Sequence, residues 1–207
     1  PDRRPGRLHR AADPDAWGWP QWPADFRDPE SAAVRAFERT HLERVEFFEY
    51  LQWLADQQAF SVGERSAELG LGVGMYFDFA VSVDRNGADA WADQNCYARD
   101  LSIGAPPDEF NPRGQKWGLL PPIPQRLRNR GYAPFIAALR AVMRDAGALR
   151  IDHIMGLMQL FCIPPGRQAS DGTYVAYDFD ELLGIVTLES VRARCMVIGE
   201  DLGTVPD

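Results

Sequence analysis

Apolar positions along this chain recur at helical spacing in three stretches and bunch into short runs between them. From Ser31 to about Phe60, Val34, Phe37, Val45, Phe48, Leu51 and Leu54 recur near a helical period behind Ser31, a capping residue. The spacing predicts a helical segment over 31–60 whose aromatic-bearing face packs into a core. Pro134 starts a second helix, with Phe135, Ile136, Leu139, Val142 and Met143 inward and Gly147 as its stop. A third is predicted near 179–193, capped by Asp178 or Asp180, with Leu182, Leu183, Val186, Leu188 and Val191 as apolar positions. Between them lie the β-prone run Met75–Val81 and predicted strands at 148–152 and 195–199. This alternation implies an α/β fold with parallel strands joined by right-handed crossovers. Periodicity alone leaves a closed barrel and an open sheet as alternatives.

The remaining stretches read as loops. Residues 1–30 are rich in Pro, Asp and Trp and are predicted to be an extended loop. The aromatics of Trp17-Gly18-Trp19-Pro20-Gln21-Trp22-Pro23 could stack on sugar rings; the plainer reading is that they cover apolar surface. Residues 82–131 form a long irregular stretch, a length that usually signals function. Pro164 to Tyr177 is a turn-rich connection.

Composition narrows the classes. A chain of 207 residues, 45% hydrophobic, can bury one domain core. It begins at Pro1 and stops at Asp207, just past a predicted strand end, so it is expected to be a piece of a longer protein. A net charge of -8 argues against an electrostatic nucleic-acid partner, which needs a basic face. Cys96, Cys162 and Cys195 are widely spaced and in apolar contexts, which suits a reducing compartment such as the cytoplasm. No run has the length of a membrane span. Gly70-Leu71-Gly72-Val73-Gly74 lacks the preceding strand and following helix of a dinucleotide fingerprint, so these glycines are read as helix stop and turn.

The chemistry concentrates at two strand ends. Arg150-Ile151-Asp152-His153 and Gly199-Glu200-Asp201 close consecutive predicted strands, where a barrel enzyme places catalytic groups. Residues two apart share a face, so Arg150 and Asp152 point together while Ile151 points to the outer helices. The guanidinium favours an ionised Asp152, as a nucleophile in glycosyl transfer requires. Glu200 ends an apolar strand, Met196-Val197-Ile198, and the desolvation expected there suits a proton donor. Each motif alone has a plain explanation, an ion pair or a helix cap; at equivalent places in successive units they point to an acid/nucleophile pair. Asp152, His153, Glu200 and Asp201 are also possible metal ligands, the basis of an alternative reading as a metal-dependent hydrolase.

Longer motifs add a resemblance. Gly87–Trp91, Ser102–Asp108, Gly114-Gln115-Lys116-Trp117-Gly118, Gly147–His153 and Cys195–Pro206 resemble, in order, the amylomaltase family of 4-α-glucanotransferases, glycoside hydrolase family 77, in its bacterial form. The resemblance implies part of a (β/α)8 TIM barrel, incomplete at both ends. It implies transfer of an α-1,4-glucan segment to the 4-hydroxyl of an acceptor sugar, with retention, malto-oligosaccharides serving as donor and acceptor. Asp152 then resembles the nucleophile and Glu200 the general acid/base; Arg150 orients Asp152, and His153 contacts the bound sugar. Gln115 and Trp117 resemble acceptor-side residues, and Asp108 a contact to a sugar hydroxyl. No metal or organic cofactor is implied. The family's third carboxylate, in a His-Asp pair, has no counterpart in these residues, so the fragment alone is expected to be inactive. A non-catalytic glucan-binding module is the remaining alternative.

Overall fold

A computed structural model describes residues 18–202. Trp17 and the Gly203–Pro206 end of the last motif lie outside the described residues. The chain divides into two compact units, one of residues 1–59 and 84–94, the other of 60–83 and 95–207.

Within the first unit the predicted loop is partly helical. A 3-10 turn spans Trp19–Gln21 and a short helix, α1, spans Ala24–Arg27. Pro20 and Pro23 favour this because a helix's first turn has no use for the N–H they lack. Trp19 and Trp22 are buried with Val34 and Trp91. The Trp22 and Trp91 rings meet edge-on at 5.7 Å, and Trp91 Nε1 donates to the Phe26 carbonyl at 3.0 Å. These tryptophans build a small core of their own, as the plainer reading held.

The predicted 31–60 helix is two helices, α2 (Ala32–Thr40) and α3 (Leu42–Glu68). Ser31 does cap, its Oγ accepting from Val34 N at 3.1 Å. The break falls at His41, which leaves helical backbone geometry and stacks its ring on Phe37 at 4.2 Å. Val34 and Phe48 are buried as expected, but Leu51 is exposed. Apolar residues also surround α3 on other sides, and Phe47, Tyr50, Trp53 and Phe60 face outward. The expectation that the aromatic-bearing face is core therefore holds only in part.

The second unit is built on strands β1 (Tyr76–Phe79), β6 (Ala148–Ile151) and β9 (Met196–Gly199), parallel in the order β1-β6-β9. Helix α6 (Ala133–Met143) precedes β6 and helix α7 (Phe179–Ala193) precedes β9. Both pack one sheet face: Leu139, Met143, Leu182 and Val186 join Leu149 and Ile151 in the main core, with Phe77, Phe79 and Val197 against it. Alternation sends Arg150 and Asp78 to the other face, together with the exposed Tyr76, Met196 and Ile198. The parallel α/β expectation is borne out for this sheet, and Ile151 does point toward the helices.

Gly147 enters β6 where no side chain fits. A Cβ there would lie 1.4 Å from the Val73 carbonyl oxygen. The glycine-rich 70–74 turn serves this approach: Gly70 and Gly74 take left-handed backbone at φ 72° and 79°, and Gly147 N then donates to Met75 O at 2.9 Å.

The 82–131 stretch is more ordered than expected. It holds β2 (Val83–Asp84), α4 (Ala88–Ala92), β3 (Ser102–Ala105), β4 (Gln115–Lys116), β5 (Leu119–Leu120) and α5 (Pro124–Asn129). β3 and β4 join β7 (Gln159–Ile163) and β8 (Thr173–Ala176) in an antiparallel sheet ordered β4-β3-β7-β8. β8 lies inside the predicted Pro164–Tyr177 loop. These strands are short and flanked by Gly and Pro, so they offer little periodicity to detect.

An ion pair between exposed arginines and the buried Glu189 fastens α6 to α7. Arg140 Nε and Nη2 each donate to Glu189 at 2.8 Å, and Arg192 adds a third bond at 2.8 Å. Chiefly through the Arg140 hydrogen bond, the Glu189 carboxyl is held at about 2. A depressed folded-state value stabilises above the ordinary carboxylate range, and the contribution is lost as pH falls from about 4.5 toward about 2. The melting-temperature gap between wild type and Glu189→Gln is therefore expected to be widest above pH 5 and to shrink steadily toward pH 2.5. A gap constant over that range would contradict the assignment.

Among the described residues no helix is long and apolar enough to cross a membrane.

Candidate active site

The site forms where β6 and β9 run out. Their register pairs Arg150 with Ile198 and Ile151 with Gly199. The ladder then continues beyond the strands: Glu200 N donates to Ile151 O at 2.9 Å and Ile154 N to Glu200 O at 2.8 Å. Asp152 and Glu200 are thereby set side by side at adjacent carboxyl ends. Both line one cleft of about 380 Å³, with Val81, Trp117, Leu119, His153 and Leu202.

Each carboxylate is fixed differently. Asp152 Oδ1 accepts from Arg150 Nη2 at 2.8 Å, as residues two apart on a strand allow. Both Glu200 oxygens accept backbone N–H groups, Oε2 from His153 at 2.8 Å and Oε1 from Leu202 at 2.7 Å. Glu200 is itself half-buried, at the end of a strand whose Met196 and Ile198 are exposed. Two backbone donors position the carboxylate, and each oxygen keeps a lone pair for a second partner.

His153 adopts left-handed backbone at φ 52° and ψ 65°, a costly conformation for a residue with a side chain. Its N–H bond to Glu200 and its carbonyl's bond from Gly156 N at 2.8 Å hold it there. Burial pushes the imidazole below its ordinary value, while the charges of Glu200 and Asp152 oppose the shift. A neutral ring can both donate to and accept from a hydroxyl.

Trp117 stands edge-on to His153, ring centroids 5.3 Å apart. The antiparallel sheet delivers it: Trp117 N donates to Ile103 O at 2.9 Å, and its ring packs in the cluster of Ile103, Leu160 and Cys162. Gly104 permits this approach, since a Cβ there would sit 2.0 Å from Gln115 O.

The remaining sequence candidates sit further out. Gln115 does not line the cleft; its Oε1 accepts from Trp117 Nε1 at 3.1 Å and so orients the indole. Asp108 does not line it either. Its Oδ1 accepts from Phe110 N at 2.8 Å and from Asn111 N, closing its own turn. Arg150 reaches the cleft through Asp152. Among the described residues no group of three His, Cys, Asp or Glu is arranged to hold a metal ion.

One charged residue escaped sequence reasoning. Asp78 pairs in register with Arg150. Both its oxygens accept from Arg150 Nη1, each at 2.8 Å. The Asp78 hydrogen bond is the main influence raising the Arg150 guanidinium above its ordinary value. The alternation of Tyr76-Phe77-Asp78-Phe79 marked Asp78 as the polar member of a strand face, but its partner lies 72 positions away.

Two acids at the ends of neighbouring parallel strands thus line one cleft beside a tryptophan, at the strand ends where barrel enzymes carry their catalytic groups. The pattern of glycoside hydrolase family 77, 4-alpha-glucanotransferase, matches residues 8–207, and the chain belongs to that family. It is 46% identical to the 4-alpha-glucanotransferase of Haemophilus influenzae over 196 residues, which is 95% of this chain and 28% of that protein. Among solved structures it resembles amylomaltase from Corynebacterium glutamicum at 42% identity and TM-score 0.77, over 79% of this chain and 23% of that one. Amylomaltase from Streptococcus agalactiae shares the fold at TM-score 0.83 and 19% identity, over 97% of this chain and 41% of that one. The chain thus spans little more than a quarter of the curated relative's length.

Proposed function

We propose that this chain supplies the nucleophile and the general acid/base of a 4-α-glucanotransferase that acts in the cytoplasm on malto-oligosaccharides and α-1,4-glucans. The observation that carries the reading is the placement of Asp152 and Glu200 on one cleft, at the ends of adjacent parallel strands. In this reading β1, β6 and β9 are neighbouring strands of a (β/α)8 barrel with their open face toward its axis, and a third carboxylate comes from outside these 207 residues.

The chemistry is a double displacement. Asp152 attacks the anomeric carbon while Glu200 protonates the departing 4-oxygen, which leaves a glycosyl ester on Asp152. Glu200 then takes the proton of an incoming 4-hydroxyl as that oxygen displaces Asp152, so configuration is retained. Such a pair stands about 5–5.5 Å apart, closer than an inverting pair, which must leave room for water. His153, with a neutral imidazole, contacts a sugar hydroxyl. Trp117 stacks on the acceptor glucose, held by Gln115, and shields the ester from water. Asp108, whose Oδ1 holds its own turn, offers Oδ2 to a sugar hydroxyl. The mechanism requires no metal or organic cofactor.

The full-length protein given maltotriose is expected to produce glucose together with longer oligosaccharides. Hydrolysis products alone, or activity lost on chelation, would overturn the assignment. Trp117→Ala is expected to raise the ratio of hydrolysis to transfer several-fold, since water gains access as acceptor binding weakens. An unchanged ratio by product chromatography would remove Trp117 from the acceptor side.

A further inference from the structure

We infer that Asp78 is a positioning residue for the proposed transfer reaction, holding the Arg150 guanidinium in the orientation that presents Nη2 to Asp152. The inference rests on the function proposed above and assigns a role to a third acid on the same sheet face. Arg150 lies between two carboxylates and divides its donors between them. Nη1 is chelated by both Asp78 oxygens, at 2.8 Å each, and Nη2 reaches Asp152 Oδ1 at 2.8 Å. The backbone makes the triad geometric: Asp78 and Arg150 are direct cross-strand partners, and Asp152 follows two residues along on the same face.

Stability does not explain the Asp78 contact. Arg150 and Asp78 side chains are 31% and 63% exposed, and pairs this accessible contribute little to folding. A guanidinium is a rigid planar fork, so fixing Nη1 also fixes the plane in which Nη2 points. Without Asp78, Arg150 is tethered only to the group it must orient, and the two can swing together. With Asp78, Oδ1 of Asp152 is tied to a fixed donor, and Oδ2 is the oxygen available to attack. Asp78 need not touch the sugar.

A double-mutant cycle in the full-length protein tests this. The substrate is α-maltosyl fluoride with maltose as acceptor, because fluoride leaves without protonation and the rate then reports on Asp152. Asp78→Asn is expected to lower kcat about 10- to 100-fold with KM within about twofold, the split for a contact that matters only in the transition state. Its melting temperature should match wild type. In an Arg150→Ala background the same substitution is expected to cost less than about twofold, since its route of action is gone. Losses that multiply in the double variant, a raised KM at unchanged kcat, or wild-type activity of Asp78→Asn would each overturn the inference. Asp78→Ser run through the same cycle decides the matter if the amide variant does not fold. Asp152→Asn separates the two levels of argument. If it stays active, the functional reading fails; if it is dead while Asp78→Asn is fully active, only the positioning role fails.

Discussion

Asp152→Asn in the full-length protein is expected to abolish disproportionation of maltotriose, lowering kcat by about 10⁴-fold or more, ~5.5 kcal/mol of lost transition-state stabilisation. The amide is nearly isosteric, so the cleft keeps its shape and Arg150 keeps an oxygen acceptor at Oδ1. What disappears is the negative charge that forms the bond to the anomeric carbon. Binding is therefore expected to survive, and malto-oligosaccharide affinity by calorimetry should change by no more than a few-fold. That split separates the proposed enzyme from a glucan-binding module, in which neither quantity would depend on Asp152. Retained turnover would remove the mechanism; loss of binding along with turnover would point to a collapsed site.

The largest stability effect is expected at Gly147. Its backbone does not require glycine, but its position does, because a Cβ would overlap the Val73 carbonyl oxygen at 1.4 Å. Neither partner is the tip of a flexible side chain. To admit a methyl group, the entry to β6 must separate from the 70–74 turn and break the Gly147 N to Met75 O bond. Overpacking against backbone costs about 3 kcal/mol or more, and Gly147→Ala should lower the melting temperature by roughly 5–10 °C. Gly184→Ala supplies the contrast. That glycine is exposed within α7, and a Cβ there meets nothing within 4 Å. Replacing it should stabilise by about 0.5–1 kcal/mol, the helix-propensity difference. Equal effects at the two positions, measured by thermal unfolding, would contradict the packing account.

What sequence could show followed from how far each interaction reaches along the chain. Helices α6 and α7 were legible because one helix face repeats Leu139 and Met143, or Leu182 and Val186, at a fixed spacing. Asp178 was legible as a cap because its partner, Glu181 N, is three residues away at 3.2 Å. Arg150 beside Asp152 followed from strand alternation. The antiparallel sheet was not legible, since β3 pairs with β7 some 60 residues on and neither has polar alternation: Ser102, Ile103 and Gly104 are all buried. The same limit hid Asp78, whose meaning depends on a strand found only after the crossover through α6. Glu200 has partners that the strand pattern does not show. Two backbone N–H groups, from His153 and Leu202, hold its carboxylate, and the His153 bond comes from a residue 47 positions earlier.

The most direct test of the carboxylate pair is to catch the glycosyl ester. In a Glu200→Gln variant of the full-length protein, α-maltosyl fluoride can still glycosylate the nucleophile, because fluoride needs no acid, while removal of the ester stalls without a base. Mass spectrometry of the digested protein should then show the peptide containing Asp152 heavier by one maltosyl unit and every other peptide unchanged. An adduct on a different residue, or none despite steady consumption of the fluoride, would contradict the account.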